Sequence, residues 1–401
     1  MTRDIKTVLS KQFLGALLIG GTATGAGMLA LPVATAGAGI LPSYFIYFLS
    51  WLFSVLTGCL FIELSSWLPK NANLITMSET FLGKVGKWAV LLLYVFQFYL
   101  LNIAYVSEGS KIVIGSICSH IPFFYGVIAF TSFFGLFIIL GAKVSSRLNA
   151  LLMTGLIFTF LLFITVSSNH SMLEKAHYWG WKYAVIGLPV AFISFSYQGV
   201  IPTLYNYLDQ DAKKTRTAMI FGTLIPLFGY IVWDYLIKGI VPVDGLEGLH
   251  EAKRIGDSAV QPLIYAISDS RIFKIGRSFA FFALTTSFIG VSLSMVDFFA
   301  DFLKVKAVRW NRVFLAMLIY IPVVAVVLIN PRVFIIALTL AGGFGSALLL
   351  GLLPIILVWI GRRSKKYSSK KKRLFGGNYI LILLLVALIC EISIGFAALR
   401  M

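Results

Sequence analysis

The sequence predicts an all-α polytopic membrane protein with eleven transmembrane helices. Of its 401 residues, 59% are hydrophobic and only 12% are charged, which is not the composition of a soluble domain. Eleven stretches of about 20 mostly apolar residues follow one another, and each is long enough to cross a bilayer as a helix. A transmembrane barrel would alternate apolar and polar residues, whereas tracts such as 88–98 are almost continuously apolar.

The distribution of basic residues along these spans predicts the orientation of the chain. In chain order, the predicted spans cover residues 12–38, 42–67, 88–114, 122–140, 149–167, 183–208, 218–242, 273–302, 313–329, 333–360 and 378–399. The N-terminal segment and the even-numbered connections carry 23 of the 34 Lys and Arg residues, and the other side carries 11. Because cytoplasmic loops are enriched in Lys and Arg, we expect a cytoplasmic N-terminus and an external C-terminus.

The net charge of +18 does not indicate a nucleic-acid partner, because it lies in the connections between spans. The most basic connection, residues 362–373, is expected to be a topology signal that contacts anionic lipid headgroups.

Residues that carry enzymatic or metal chemistry are sparse. Cys59, Cys118 and Cys390 lie far apart and form no disulfide framework or paired-thiol motif. The four histidines fall in predicted external connections, without a second ligand type at metal spacing. A membrane-embedded enzyme would need clustered acids, bases or metal ligands at one interface. We therefore predict no metal site, no cofactor and no enzymatic activity.

Two of the predicted spans contain helix-weakening sequences at membrane depth. Four glycines occupy the eight positions 20–27 of the first span, and each weakens helix propensity by up to about 1 kcal/mol. In the sixth span, Ser194–Gly199 is followed by Pro202. Five spans separate the two interruptions, and since five is odd, a second copy of a five-helix unit runs inverted through the membrane. We predict a repeat of 12–167 and 183–360, with 378–399 as an extra peripheral helix.

Broken helices at matching positions of two inverted halves are typical of secondary transporters with a substrate site at the midplane. The amides that open the second half of a broken helix carry about half a positive elementary charge and suit a carboxylate. The carbonyls that end the first half lack intrahelical partners and suit an ammonium group or a small cation. A zwitterion fits both ends.

Three runs of residues resemble a known family. They are GGTATGAGMLALP at Gly20–Pro32, FSYQGVIPTLYNYL at Phe195–Leu208 and TTSFIGVSLSMVDFFAD at Thr285–Asp301. They look like the hydroxy and aromatic amino acid permeases, in particular the tyrosine-specific bacterial members. The resemblance implies the inverted-repeat fold of the amino acid, polyamine and organocation transporters, a bacterial inner membrane location and proton-driven uptake of an aromatic amino acid, with tyrosine as the expected substrate.

The resemblance also implies which residues bind the substrate. The first-span wall is Thr22, Ala23, Thr24, Gly25, Ala26 and Gly27, with the amides of Ala26 and Gly27 on the carboxylate. The sixth-span wall is Ser194, Phe195, Ser196, Tyr197, Gln198 and Gly199. Several members of the family carry His where Gln198 stands. A glutamine does not titrate near neutral pH, so a proton-relay role at this position is in doubt.

In the third span, five residues share one helical face. They are Tyr94, Gln97, Leu101, Tyr105 and Glu108. The face either lines the permeation route, with Gln97 and Tyr105 as substrate contacts, or bonds neighbouring helices.

The coupling ion is left open between a proton, which the family resemblance favours, and sodium, and exchange or uniport without a coupling ion is the third alternative. In sodium-coupled members of this fold, hydroxyls like those of Thr286 and Ser287 complete an ion site with first-span carbonyls, here near Gly21 and Thr24. Hydroxyl oxygens suit a hard cation. Glu108 is a further coupling candidate. A membrane sensor that binds amino acids without transporting them is the alternative function.

Other ionisable residues within spans have plausible structural roles. We expect Glu63, Asp297 and Asp301 to be satisfied by water or by Lys304. Asp234 and Lys238 have the i,i+4 spacing of an ion pair. Glu391, in the eleventh span, has no predicted partner.

Overall fold

The computed structural model describes residues 2–70, 72–117, 121–168, 179–266, 270–305, 309–364, 367 and 377–400. Within this part of the chain, every regular element is a helix. The α-helices are α1 Thr2–Ala23, α2 Ala26–Ala34, α3 Ile40–Trp67, α4 Leu74–Ile117, α5 Phe123–Leu140, α6 Ala142–Ser167, α7 Trp181–Ile186, α8 Leu188–Ser194, α9 Ile201–Tyr207, α10 Ala212–Ile240, α11 Leu249–Ile255, α12 Leu263–Ala266, α13 Ser270–Phe302, α14 Arg309–Ile329, α15 Phe334–Leu340, α16 Leu353–Arg363 and α17 Gly377–Ala398. A π-helix, Ala341–Leu352, joins α15 to α16.

These helices confirm the predicted class. Among the described residues, nine helices are long and apolar enough to cross a membrane. The pair Lys11–Ala23 and Ala26–Ala34, bent by 52°, forms a tenth crossing as a broken span. The helices α7 to α9 occupy the predicted sixth span, and each is too short to cross alone. His120, His170, His177 and most of the basic connection 362–373 lie outside the described residues.

The spans pack in two groups. The first group contains α1, α2, α3, α8, α9 and α10, and the second contains α4, α5, α6, α13 and α14. The tenth span, from α15 to α16, contacts both groups. We call the end of the molecule that carries the start of α1 the basal face, and the opposite end, which carries residues 241–262, the distal face.

The third span is longer than predicted. Instead of 88–114, α4 runs from Leu74 to Ile117 with a kink at Gly83, whose φ of 67° is in the left-handed region. A residue with a side chain is strained in that conformation, so glycine permits the bend.

Buried ion pairs satisfy several of the charged residues within spans. Lys238 Nζ lies 3.0 Å from Asp234 Oδ2, as the spacing predicted. Glu63 has the structural role that was expected, but neither water nor Lys304 was needed to explain it: Arg362, at the end of α16, donates to both of its carboxylate oxygens at 2.8 and 2.7 Å. A single sequence contains no signal for a pair separated by so many residues.

The eleventh span is peripheral, as predicted, and only one of its faces is buried. Helix α17 packs on the π-helix, and Gly395 lies against Gly343. Because the two glycines allow this close approach, Glu391 is 2% exposed, and neither carboxylate oxygen has a hydrogen-bond partner among the described residues.

Candidate functional site

A cavity of 970 Å³ lies between the two interrupted spans. Its volume is at the upper end of the range for small-molecule sites. Most of the predicted site residues line it: Gly21, Thr22, Ala23, Thr24, Gly25, Ala26, Gly27, Gln97, Tyr105, Ser194, Ser196, Tyr197, Gly199, Thr286 and Ser287. Phe195, Gln198 and Glu108 are absent from this lining.

The first break is a short gap between α1 and α2. Gly25 precedes α2 and supplies no side-chain cap, and Met28 N donates to Gly25 O at 3.0 Å. The amides of Ala26 and Gly27 therefore open α2 without an intrahelical partner, as expected at a helix N-terminus. A Cβ on Gly27 would collide with Ser194 Oγ and lie 2.8 Å from Ser194 Cα. Glycine at this position lets the two breaks approach each other.

A tyrosine that the sequence did not single out joins the two breaks. Tyr230 Oη, on α10, lies 2.5 Å from the carbonyl oxygen of Ala23 and 2.8 Å from that of Ser194. Its ring packs edge-on against Phe195, which is fully buried. Phe195 therefore lies behind the wall of the cavity.

The sixth break satisfies part of its own backbone. Gln198 Oε1 accepts a hydrogen bond from Tyr197 N at 2.9 Å, and Gln198 Nε2 donates to Thr57 Oγ1 on α3 at 3.2 Å. Ser196 N donates to Ile193 O at 3.1 Å, and Val200 N donates to Tyr197 O at 2.9 Å. Gln198 thus stabilises the break and faces α3.

A polar cluster connects the third, sixth and tenth spans beside the cavity. Gln97 Nε2 donates to Ser346 Oγ at 2.9 Å, and Ser196 Oγ donates to Ser346 Oγ at 3.0 Å. Next to it, the rings of Tyr94 and Phe298 stack at 5.6 Å between centroids. Ser346, on the π-helix, was not predicted from the sequence.

Of the two hydroxyls proposed for an ion site, that of Thr286 donates to its own helix, at 2.9 Å from Phe282 O, whereas Ser287 Oγ lies beside Gly25 of the first break. Thr24, whose carbonyl was the proposed ligand, donates its hydroxyl to Gly20 O at 2.9 Å. The methyl group of Met153, on α6, lies beside Gly21: a Cβ built on Gly21 would be 3.4 Å from it. A thioether methyl is not a ligand for a hard cation.

The cavity extends to the basal face and is closed toward the distal face. Its basal lining is polar and contains Asn73, Asn149, Asn206, Asp297 and Asp301. Asp297 Oδ1 lies 3.7 Å from Arg312 Nη2 of α14.

On the distal side, the segment 256–259 closes over α2 and α4. Ala259 N donates to Leu29 O at 3.0 Å. Lys111 Nζ donates to Asp257 Oδ1 at 2.5 Å, and Ser258 N donates to Glu108 Oε1 at 3.3 Å. This closure joins the two helix groups, and Glu108 is part of it.

The chain resembles known transport proteins over nearly its whole length. Residues 9–395 match the tryptophan/tyrosine permease family. The chain belongs to this family. Among curated members, it is 30% identical to the tyrosine-specific transport system 1 of Haemophilus influenzae, covering 97% of both chains. It is 26% identical to a tryptophan-specific transport protein of Pseudomonas aeruginosa, covering 88% of this chain and 87% of that protein. The relatives of this permease are named as transport proteins, not as enzymes.

Solved structures show the same fold at low sequence identity. The permease aligns with MhsT in complex with L-phenylalanine at a TM-score of 0.68 and 14% identity, covering 96% of this chain and 98% of that chain. It aligns with a mutant manganese transporter of Eremococcus coleocola at a TM-score of 0.63 and 14% identity, covering 98% and 86% of the two chains. The permease is thus a multi-span membrane protein with a transporter fold.

Proposed function

We propose that this permease imports an aromatic amino acid, with tyrosine as the preferred substrate, by proton symport and alternating access. The carrying observation is that the opening amides of α2 lie in the wall of a cavity shared with the sixth break. The name of its Haemophilus relative, a tyrosine-specific transport system, supports the choice of substrate.

The zwitterionic end of the substrate is recognised by the first break. Its carboxylate binds the amides of Ala26 and Gly27, where the helix dipole favours negative charge. Within the described residues, the carbonyl of Gly20 accepts from Thr24 and that of Ala23 accepts from Tyr230. The carbonyls of Gly21 and Thr22 are then left for the ammonium group.

Alternating access is a relative movement of the two helix groups. The distal closure 256–259 bonds both groups while the basal side of the cavity is open. By the positive-inside rule the basal face is cytoplasmic, which makes this the inward-open state in a bacterial inner membrane, with a periplasmic C-terminus. Opening the distal side requires the bonds of Asp257, Ser258 and Ala259 to break.

Protons are favoured over sodium as the coupling ion. The Met153 methyl, which is not a ligand for a hard cation, lies against Gly21, where a sodium site would need first-span oxygens. The hydroxyl of Thr286 donates to its own helix, so only its lone pairs remain for a cation. Glu108 is the proton carrier, because it is buried in the distal closure and becomes accessible when that closure opens.

The test is uptake by the purified protein in liposomes. With an acidic exterior and no sodium, labelled tyrosine should accumulate, and a protonophore should abolish the accumulation. Gly27→Ala is the inactive control, and Gln12→Met, on α1 and outside the cavity lining, is the active one. If none of the three aromatic amino acids accumulates under any ion gradient, the function is wrong. Accumulation driven by a sodium gradient at equal pH would identify sodium, and not the proton, as the coupling ion.

The role of Glu108 is tested in the same liposomes. Glu108→Gln should lose proton-driven accumulation but retain exchange of internal for external tyrosine, because exchange needs no net proton movement. Normal accumulation by Glu108→Gln would assign the proton to another group.

A further inference from the structure

One side chain that lines the cavity carries a buried acceptor that has no partner among the described residues. Gln97 is 8% exposed, and its Oε1 has no hydrogen-bond partner among the described residues. Buried side-chain oxygens in folded proteins are almost always hydrogen-bonded, so an unpaired one in the wall of a binding cavity needs an explanation. We therefore expect the ligand to supply the hydrogen-bond donor for this oxygen.

The position of the Gln97 amide is fixed from behind. Its Nε2 is committed to Ser346 Oγ at 2.9 Å, and Ser346 is fully buried in the π-helix and also accepts from Ser196. Gly345 allows the π-helix to approach, because a Cβ there would lie 3.3 Å from Gln97 Cβ. An amide whose nitrogen is held in this way presents its oxygen in a defined place.

The surroundings of this oxygen suit an aromatic ring. Phe98 and Leu101 line the cavity on the same helix, and the stacked rings of Tyr94 and Phe298 line it as well. Aromatic and aliphatic side chains together with one unpaired acceptor match a ring that carries one hydrogen-bond donor.

We propose that the side-chain carbonyl of Gln97 accepts a hydrogen bond from a donor on the ring of the substrate, so that the site favours phenol or indole side chains over phenylalanine. The proposal rests on the proposed function, because it assumes that an aromatic amino acid is the substrate. Gln97 is the specificity-determining residue, and Ser346 is a positioning residue that acts through it. A site built to hydrogen-bond a substrate group discriminates strongly against the analogue without that group, since its own polar atom is then left unpaired.

The experiment compares initial uptake rates in liposomes at substrate concentrations below saturation. Tyrosine, tryptophan and 4-aminophenylalanine carry a ring donor, whereas phenylalanine and 4-fluorophenylalanine do not. We expect the unmodified protein to take up tyrosine at least about 10-fold faster than phenylalanine or the fluoro analogue. The fluoro analogue separates the effect of the donor from that of substituent size.

In Gln97→Met, which keeps the length of the side chain, the ratio of tyrosine to phenylalanine uptake should fall to near one. Ser346→Ala should lower the same ratio by a smaller factor, because the amide is then less well held. Gln12→Met, on α1 and outside the cavity lining, is the matched control and should leave the ratio unchanged.

Three outcomes would overturn the proposal. The first is that the unmodified protein takes up substrates with and without a ring donor at equal rates. The second is that Gln97→Met slows the uptake of all five substrates equally. The third is that Gln97→Met retains the ratio of tyrosine to phenylalanine uptake. In each of these outcomes the protein still transports aromatic amino acids, so the role of Gln97 is overturned and the proposed function is not. A protein that transports none of the five removes the proposed function as well.

Discussion

The two broken spans resemble each other in sequence texture but differ in how they satisfy their exposed backbone. In the first break, Gly25 offers no side chain to cap α2, and the amides of Ala26 and Gly27 stay available. In the sixth break, the side chain of Gln198 binds the amide of Tyr197, and Pro202 has no amide hydrogen to satisfy. The same kind of interruption therefore gives one break without a side-chain cap and one break in which the amides of Ser196, Tyr197 and Val200 are bonded within the break.

This difference predicts separate roles for the two breaks. Free amides at a helix N-terminus attract an anion, whereas a break whose amides are mostly bonded already is better suited to be a shaped wall. Tyr230 keeps the two breaks together through the carbonyls of Ala23 and Ser194. Substitutions at matching positions of the two breaks should therefore have unequal effects, and the size order of those effects tests the comparison.

The largest effect is expected for Gly27→Ala. The new methyl group would collide with Ser194 and lie 2.8 Å from its Cα, which no rotation of a side chain relieves. Overpacking of this kind typically costs about 1–3 kcal/mol, and here it also displaces an amide of the carboxylate site. Tyrosine uptake should fall at least about 100-fold, measured in liposomes with equal protein content.

Gly25→Ala provides the matched control for that loss. Its methyl group would meet only the Ser287 side chain, and mainly its Oγ, which can rotate or be removed. The double variant Gly25→Ala with Ser287→Ala should therefore recover part of the activity lost in Gly25→Ala. Gly27→Ala should not be rescued by Ser194→Ala, because the backbone of residue 194 would still crowd the new methyl group. Rescue there would mean that the breaks are not held at this spacing.

Tyr230→Phe should have the second largest effect. It removes the hydroxyl between Ala23 O and Ser194 O, and a buried group left without its partner costs about 1–3 kcal/mol. We expect lower thermal stability in detergent and about 10-fold slower uptake. Tyr235→Phe, on the same helix and outside the cavity lining, should change neither quantity. Equal stability of Tyr230→Phe and the unmodified protein would contradict a bridging role.

Gln198→Leu should lower stability by about 1–2 kcal/mol, because the amide of Tyr197 loses its acceptor. Its effect and that of Thr57→Val should be non-additive, since the two side chains are hydrogen-bonded at 3.2 Å. Thermal unfolding of the two single variants and the double variant measures the coupling. Additive losses would show that Gln198 acts independently of α3.

The positions of both breaks could be predicted because local chemistry causes them. Glycines at 20–27 and the Ser–Gly–Pro sequence of the sixth span weaken a helix wherever it is placed. The third-span face was also readable from helical periodicity, and Gln97 and Tyr105 lie at the cavity. Glu108 shares that face but lies eleven residues beyond Gln97, about 17 Å along the axis, in the distal closure.

The partners of buried polar groups could not be predicted, because one sequence contains no information on which distant spans meet. Tyr230 was one of 17 tyrosines, and Ser346 was one residue of an apolar span. Arg362 appeared to be part of a basic connection, although it bonds Glu63. Similarly, the burial of Glu391 could not be predicted, because the glycine contact between α17 and the π-helix is a tertiary feature.

The smallest effect is expected for Gly199→Ala, which makes the same substitution in the sixth break that Gly27→Ala makes in the first. A Cβ on Gly199 would lie 3.7 Å from Tyr94 Oη, an ordinary van der Waals distance, and the amide of the next residue, Val200, already donates to Tyr197 O. Uptake within about twofold of the unmodified protein is expected, in the same liposome assay. If Gly199→Ala were as damaging as Gly27→Ala, both breaks would need free backbone or close approach, and the division between a binding break and a structural break would be lost.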